Sequence, residues 1–370
     1  MLLEKCRWFD GRQAPCCLML DDLVPAAVSL DGTLGPHNDW GYLMDGPDSL
    51  YAFFKERLLD KYPEIRGTIF MPLAAQHSIP DGPGYAVYRR ETEGEFLHFA
   101  LSLAPRFELA FHGLRHTLVK DGLRRHEFAD IDRETSEENL AAIRNLAPQG
   151  IVFQGGKFPG YRHGAGAGEF IIAAGFQWFA LDAHMINRRH AGSGPGFIPE
   201  TRIVTIPTNL GGDAFASRPA STGKLKGLVK KILHPGHRPE AHLEYLYRNG
   251  LPITIQEHFQ NQGPTGKRQR PNVHDDIRSL DRIYGLLRSR DVWHATCSEI
   301  ARYYDSFVHT EIRDCGRSGV EIRGHGGLPL SYRSRSPRLR NAASGAVLDG
   351  VLKNGIYIFG SLAEGCYESG

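Results

Sequence analysis

Alternation constrains this chain more than any other feature. Short apolar, β-branched runs recur between longer segments whose apolar residues return every three or four positions. Such runs suit strands buried on both faces, and the segments between them have the length of crossover helices. The pattern therefore predicts repeated βα units around a mostly parallel sheet. The expected strands are Cys16 to Leu20, Arg66 to Met71, Glu108 to Phe111, Ile151 to Phe153, Gln177 to Leu181, Arg202 to Ile206, Pro252 to Gln256 and a short one near Val292. The expected helices are Ser49 to Asp60, Ser136 to Leu146, Gly168 to Ala174, Glu240 to Asn249, Val273 to Arg288 and Cys297 to Tyr304.

The stretch Arg133 to Leu146 shows the local logic. Thr135 or Ser136 can cap the first free N–H groups, Glu137 and Glu138 sit at the positive end, and Leu140, Ile143 and Leu146 repeat at three-residue spacing. Gly250 and Pro252 likewise stop the helix before Ile253-Thr254-Ile255. Past about Phe307 the helical signal fades into short apolar runs separated by Gly, Ser, Pro and Asn. That composition predicts a small β-rich extension.

At 370 residues the chain can build one large core with an appendage, and Lys+Arg 44 against Asp+Glu 42 leaves no nucleic-acid footprint. The six cysteines form neither a CxxC pair nor a zinc-ribbon pattern, and adjacent Cys16 and Cys17 read as buried small side chains. Charged residues interrupt the first fifteen positions, and no run reaches the roughly 18 to 20 apolar residues that cross a bilayer. A cytoplasmic enzyme is the default expectation.

Three local features can carry chemistry. Asp21-Asp22 follows the apolar run Cys16 to Leu20, where ligands gather in α/β folds, although a solvated turn has the same appearance. His112 and His116 follow Phe107 to Phe111; a helical turn there would put both imidazoles on one side, a spacing suited to zinc, though 17 histidines also produce such pairs by chance. His258 stands at the end of Ile253-Thr254-Ile255-Gln256-Glu257, as a proton donor, a ligand or a structural histidine. The glycine-rich connection from Asp22 to Pro47 holds Trp40 and Tyr42, and a second such stretch, Gly155 to Gly168, holds Lys157, Tyr161, Arg162 and His163 without matching a phosphate-binding loop. Trp40, Tyr42, Tyr161, Arg162 and Trp178 are the candidate substrate contacts; for Trp178 core packing competes with a pocket wall.

Together these residues resemble the polysaccharide-deacetylase superfamily, also called the NodB-homology or carbohydrate-esterase-4-like group. The first motif is matched by Leu18-Met19-Leu20-Asp21-Asp22 and the second by His112-Gly113 with His116. The third is matched imperfectly by Lys157-Phe158-Pro159-Gly160-Tyr161, the fourth by Trp178 to Asp182 and the fifth by Ile253 to His258. Lys157 stands where the family has a catalytic arginine beside the base, a place that Arg162 could fill instead, and Leu23 where it has glycine. The resemblance implies a distorted (β/α) barrel of seven or eight parallel strands over residues 1-306, with a small β-rich C-terminal extension over 307-370. It implies a metal on Asp22, His112 and His116, with Asp21 as general base, His258 as general acid and Asp182 orienting or tuning it or a nearby positively charged group. Zn2+ is the expected metal, with Co2+, Ni2+, Mn2+ and Fe2+ as alternatives. The implied reaction removes an acetyl group from an acetamido sugar or a sugar-containing small molecule or lipid. The partner is then a carbohydrate or N-acetylated small molecule, and a homo-oligomer is compatible. The competing readings are a hydrolase of another amide on the same scaffold and a carbohydrate-binding or scaffolding protein without turnover.

Overall fold

The computed structural model describes residues 2–24, 49–73, 93–120, 123–182, 194–216, 239–259, 270–315, 319–324 and 330–370. Their elements, in chain order, begin with β1 (Leu3–Lys5), β2 (Ala14–Asp21), α1 (Leu50–Phe54), β3 (Gly67–Met71), α2 (Glu93–Ser102), β4 (Phe107–Phe111), β5 (Thr117–Lys120), β6 (Leu123–His126), α3 (Arg133–Leu146) and β7 (Gly155–Lys157). They continue with α4 (Ala167–Ala173), β8 (Trp178–Asp182), β9 (Gly196–Phe197), β10 (Val204–Thr208), β11 (Leu210–Gly211), α5 (Pro239–Arg248), β12 (Ile253–His258), α6 (Val273–Leu287), β13 (Val292–His294) and α7 (Cys297–His309). No helix among the described residues is long and apolar enough to cross a membrane.

The central sheet runs β11-β12-β2-β3-β4-β7-β8-β10-β9, with β13 also bonded to β2. It is parallel except where β9 meets β10. It is thus a mixed sheet with flanking helices. Two strands consecutive in the chain lie toward opposite ends of this order: β10 sits between β8 and β9, and β11, which follows after Asn209, pairs with β12.

Strand β2 is buried on both faces, which explains its unbroken apolar sequence. Cys16, Leu18 and Leu20 pack in the layer shared with the helices, whereas Cys17 and Met19 join Phe70, Ala110, Trp178, Ala180 and Ile206 on the other face. That second cluster continues through Ile300, Ala301 and Tyr303 of α7 into the C-terminal region. There, β14 (Glu311–Asp314), β15 (Gly319–Arg323), β16 (Tyr332–Ser334), β17 (Arg338–Asn341), β18 (Val347–Asp349), β19 (Val351–Lys353), β20 (Ile356–Phe359) and β21 (Gly365–Ser369) form the expected β-rich region. Its sheets run β14-β15-β21-β17-β18 and β1-β16-β20-β19, so the amino-terminal strand is stitched to the far end of the chain.

Three local expectations need correction. Ile151–Phe153 is not a strand; Gly155-Gly156-Lys157 is. A Cβ on Gly156 would lie 2.8 Å from the Phe111 carbonyl oxygen, and one on Gly155 would overlap the Trp178 ring, so only glycine lets this strand fit between β4 and β8. The cap of α3 is Asp132, whose carboxylate accepts the Thr135 N–H at 2.9 Å, rather than Thr135 or Ser136. Finally, α7 runs on to His309, opened by a capping box of Thr296 and Glu299.

His294, at the end of β13, gives the fold a pH dependence. Its ring stacks on Tyr284, and burial pushes the imidazole down to about 4, with Arg12 assisting and Glu64 opposing. An unfolded chain protonates this histidine near pH 6.5, so the unfolded state binds more protons as pH falls, and stability declines from about pH 6.5 to about pH 4. The His294→Phe variant should escape up to about 3 kcal/mol of this loss. Melting temperatures at neutral and acidic pH check it: the gap between variant and parent should widen as pH falls.

Candidate metal centre

Two-residue alternation carries chemistry to the carboxyl ends of the strands. Cys17 and Met19 point to one face of β2, and Asp21 follows them; the chain then turns at Asp22, with φ +65°. Parallel register places Asp21 beside His258 of β12 and beside Phe70 of β3. His112 follows β4 directly, its N–H held by the Met71 carbonyl at 3.2 Å.

No helical turn links His112 to His116, contrary to the simplest reading of their spacing. Gly113 (φ +83°) and His116 (φ +61°) take left-handed backbone, and the loop folds back so that the two rings lie 5.3 Å apart, centre to centre. Glu127, buried just after β6, holds this loop. Its Oε2 accepts the N–H groups of Arg115 (2.9 Å) and His116 (3.2 Å), and its Oε1 accepts from the Asn139 side chain at 2.9 Å.

Asp22, His112 and His116 present one donor atom each, all within 4.8 Å of one another. Asp22 Oδ1 lies 3.6 Å from His112 Nε2 and 3.5 Å from His116 Nε2. Asp22 is 1% exposed, and neither of its oxygens has a hydrogen-bond partner. His112 Nδ1 lies 2.9 Å from the Lys157 carbonyl, an acceptor, so Nδ1 carries the proton and Nε2 offers its lone pair. Burial pushes His112 down to about 3, with His116 and Lys157 assisting and Asp21 opposing, which keeps the ring neutral. Burial and the Asp21 charge also push Asp22 up to about 7. One carboxylate and two imidazoles converge here on a common point, a cluster suited to a divalent cation.

Asp21 is set up differently. Burial alone would raise its carboxyl, but Lys157, His112 and His258 hold it below the usual range. Lys157 forms an ion pair with Oδ1, and its ammonium lies 4.4 Å from the Phe70 ring centre and 5.1 Å from that of Tyr161. Oδ2 accepts from Gln256 Nε2 at 3.1 Å, and Gln256 Oε1 in turn accepts the Tyr161 hydroxyl proton at 2.8 Å. His258 Nε2 faces Oδ2 at 3.5 Å, while Nδ1 lies 2.6 Å from the Pro271 carbonyl, which orients the ring.

The other expected site residues divide. Tyr161 reaches the site through Gln256, and Asp182 ends β8 close enough to act on Tyr161 electrostatically. Arg162 is exposed; Lys157 is the cation beside Asp21. Trp178 is packed instead of lining a pocket, 1% exposed, with its indole N–H donated to Ser298 Oγ at 2.8 Å. Trp40 and Tyr42 lie outside the described residues. Sequence reasoning missed Glu127 and Gln256. Gln256 carried a usable signal, since it stands two residues before His258 and so shares its face of β12. Glu127 carried none.

Glu127 tests the support of the loop. Alanine there leaves two loop N–H groups and Asn139 without their carboxylate. Metal affinity should fall about 10- to 100-fold, measured by competition with a chromogenic chelator, while Asp22 and both histidines remain.

No family model matches the sequence, and no curated protein matches it. Several solved structures align with most of this chain, each with a TM-score below 0.5. A Mycobacterium smegmatis protein described as a candidate polysaccharide deacetylase is 18% identical, with 85% of this chain and 97% of that one covered and a TM-score of 0.48. The 4-alpha-glucanotransferase from Thermococcus litoralis is 14% identical, with 78% and 40% covered and a TM-score of 0.47. A family 4 carbohydrate esterase from Streptomyces lividans, solved with acetate, is 10% identical, with 76% and 92% covered and a TM-score of 0.38. The chemistry of this chain rests on its own side chains.

Proposed function

We propose that the chain is a metal-dependent amide hydrolase that removes an N-acyl group, acetyl in the first instance, from an amino sugar or a sugar-containing small molecule or lipid. The observation that carries this reading is the pairing of two unlike carboxylates. Asp22 faces the two imidazoles of His112 and His116, while adjacent Asp21 is kept ionised by Lys157 with His258 across from it. A binding site for an ion alone has no use for the second carboxylate and the third histidine. We also read the sheet as a distorted (β/α) barrel that closes across Asn209, with the site at its carboxyl-terminal mouth.

Asp22, His112 and His116 would hold the metal, for which zinc suits a mixed carboxylate and imidazole set; cobalt, nickel, manganese and iron suit the same donors. Bound there, the ion supplies Lewis acidity toward the amide carbonyl and a lowered pKa for water. Asp21 takes the proton from the attacking water, with Lys157 and Gln256 fixing its two oxygens. His258, held at Nδ1 by the Pro271 carbonyl, delivers a proton from Nε2 to the departing amine. The C–N bond breaks to give acetate and a free amine. Acetate release from a panel of N-acetylated amino sugars, with and without added metal, tests the reading. Metal-loaded protein that releases nothing from the whole panel would favour a carbohydrate binder without turnover.

A further inference from the structure

Cys16 and Cys17 are neighbours in β2 that face opposite ways. Cys16 packs in the layer shared with the helices, whereas Cys17 turns to the other face and meets the start of α7. Its Sγ lies 3.7 Å from that of Cys297, the first residue of α7, and both residues are 0% exposed. The backbone around the pair is already fixed. The Ala295 N–H donates to the Cys16 carbonyl at 2.9 Å, the Cys297 N–H to Thr68 Oγ1 at 2.9 Å and the Ser298 N–H to Glu108 Oε1 at 2.9 Å. Strands β2, β3 and β4 thus hold the start of α7, and the two sulfurs meet from positions 280 residues apart.

Sulfurs in van der Waals contact need to approach by only about 1.7 Å to bond. We propose that Cys17 and Cys297 are a disulfide site, closed while the chain folds in the presence of a small disulfide oxidant such as oxidised glutathione. The thiolate of one cysteine attacks the oxidant and releases one glutathione; the thiolate of the other attacks the sulfur of the first and releases the second. The two cysteines give up two protons and two electrons, which leave on the two glutathione thiols. In the folded protein the exchange is blocked in both directions. The pair is out of reach of any reagent, and burial together with the Cys17 thiol pushes Cys297 well above its ordinary value, so the attacking thiolate is scarce. The site therefore keeps the redox state in which the chain folded. Closed, it ties the strand that leads into Asp21 to α7 across 280 positions, a long loop of the kind whose closure takes most freedom from the unfolded chain.

Cell-free synthesis of the full chain, in a couple of oxidised and reduced glutathione or in dithiothreitol, tests the proposal. Each product is alkylated, mapped by mass spectrometry without reduction, and melted. The glutathione product should contain the peptide pair that joins Cys17 to Cys297, with fragmentation placing the bond on Cys17 and not on Cys16, and should melt about 5 °C above the dithiothreitol product. Protein folded in dithiothreitol and then given oxidised glutathione overnight should keep both thiols free. Cys17→Ala and Cys297→Ala should each abolish the difference in melting, and either one suffices where the other fails to fold. Cys315→Ser, at the exposed cysteine, should retain it. Cys17 and Cys297 both alkylated after synthesis in the glutathione couple overturn the proposal, as does a bond to Cys16. Closure of the bond in protein already folded overturns the shielding.

Discussion

On the proposed function, the His112→Ala variant should purify without metal and without amide hydrolysis. His112 supplies one of two nitrogen donors, and its ring is already fixed, with Nδ1 committed to the Lys157 carbonyl. Alanine leaves an Asp–His pair, which binds a divalent ion far more weakly than three donors do. The ion contributes several kcal/mol of charge stabilisation to the transition state, and each 1.36 kcal/mol is tenfold in rate, so kcat should fall at least about 10³-fold. Metal content measured by plasma spectrometry, together with acetate release, checks both parts. A variant that retains its metal would sink the ligand assignment.

The Asp21→Asn variant is expected to separate binding from turnover. Asp22, His112 and His116 remain, so metal content should stay near that of the parent. Loss of the proton acceptor should lower kcat by about 10² to 10⁴. A complication comes from Lys157, which is 1% exposed and paired with Asp21. Removing one partner of a buried pair costs about 3–5 kcal/mol. The double variant Asp21→Asn with Lys157→Met removes both charges and should recover much of that stability without recovering hydrolysis. If Asp21→Asn stays folded and metal-loaded yet turns over at the parental rate, Asp21 is not the base.

The strands that carry the site were legible because burial on both faces leaves an unbroken apolar run, as in Cys16 to Leu20, and because acidic or histidine residues end those runs. Other features resisted for physical reasons. Gly155-Gly156-Lys157 reads as loop by propensity, yet it is a strand because neighbouring backbone and the Trp178 ring exclude any side chain. His112 and His116 were paired correctly by spacing and wrongly by mechanism, since a left-handed loop braced by Glu127, and not a helix, brings them together. Trp178 shows the same limit. A tryptophan near a motif can wall a pocket or fill a core, and only its neighbours Phe70 and Ser298 decide for the core.

The position of β2 has a consequence for how the protein is made. Its two main neighbours are β3, which follows soon after it, and β12, whose Gln256 is 235 positions from Asp21. Emerging from the ribosome, the chain therefore carries an apolar strand with one edge bare until nearly the whole sheet has been translated. A product that stops short of Ile253 keeps that edge exposed and lacks His258 as well. Truncation ahead of β12 thus turns the strand that leads into Asp21 and Asp22 into a seed for aggregation.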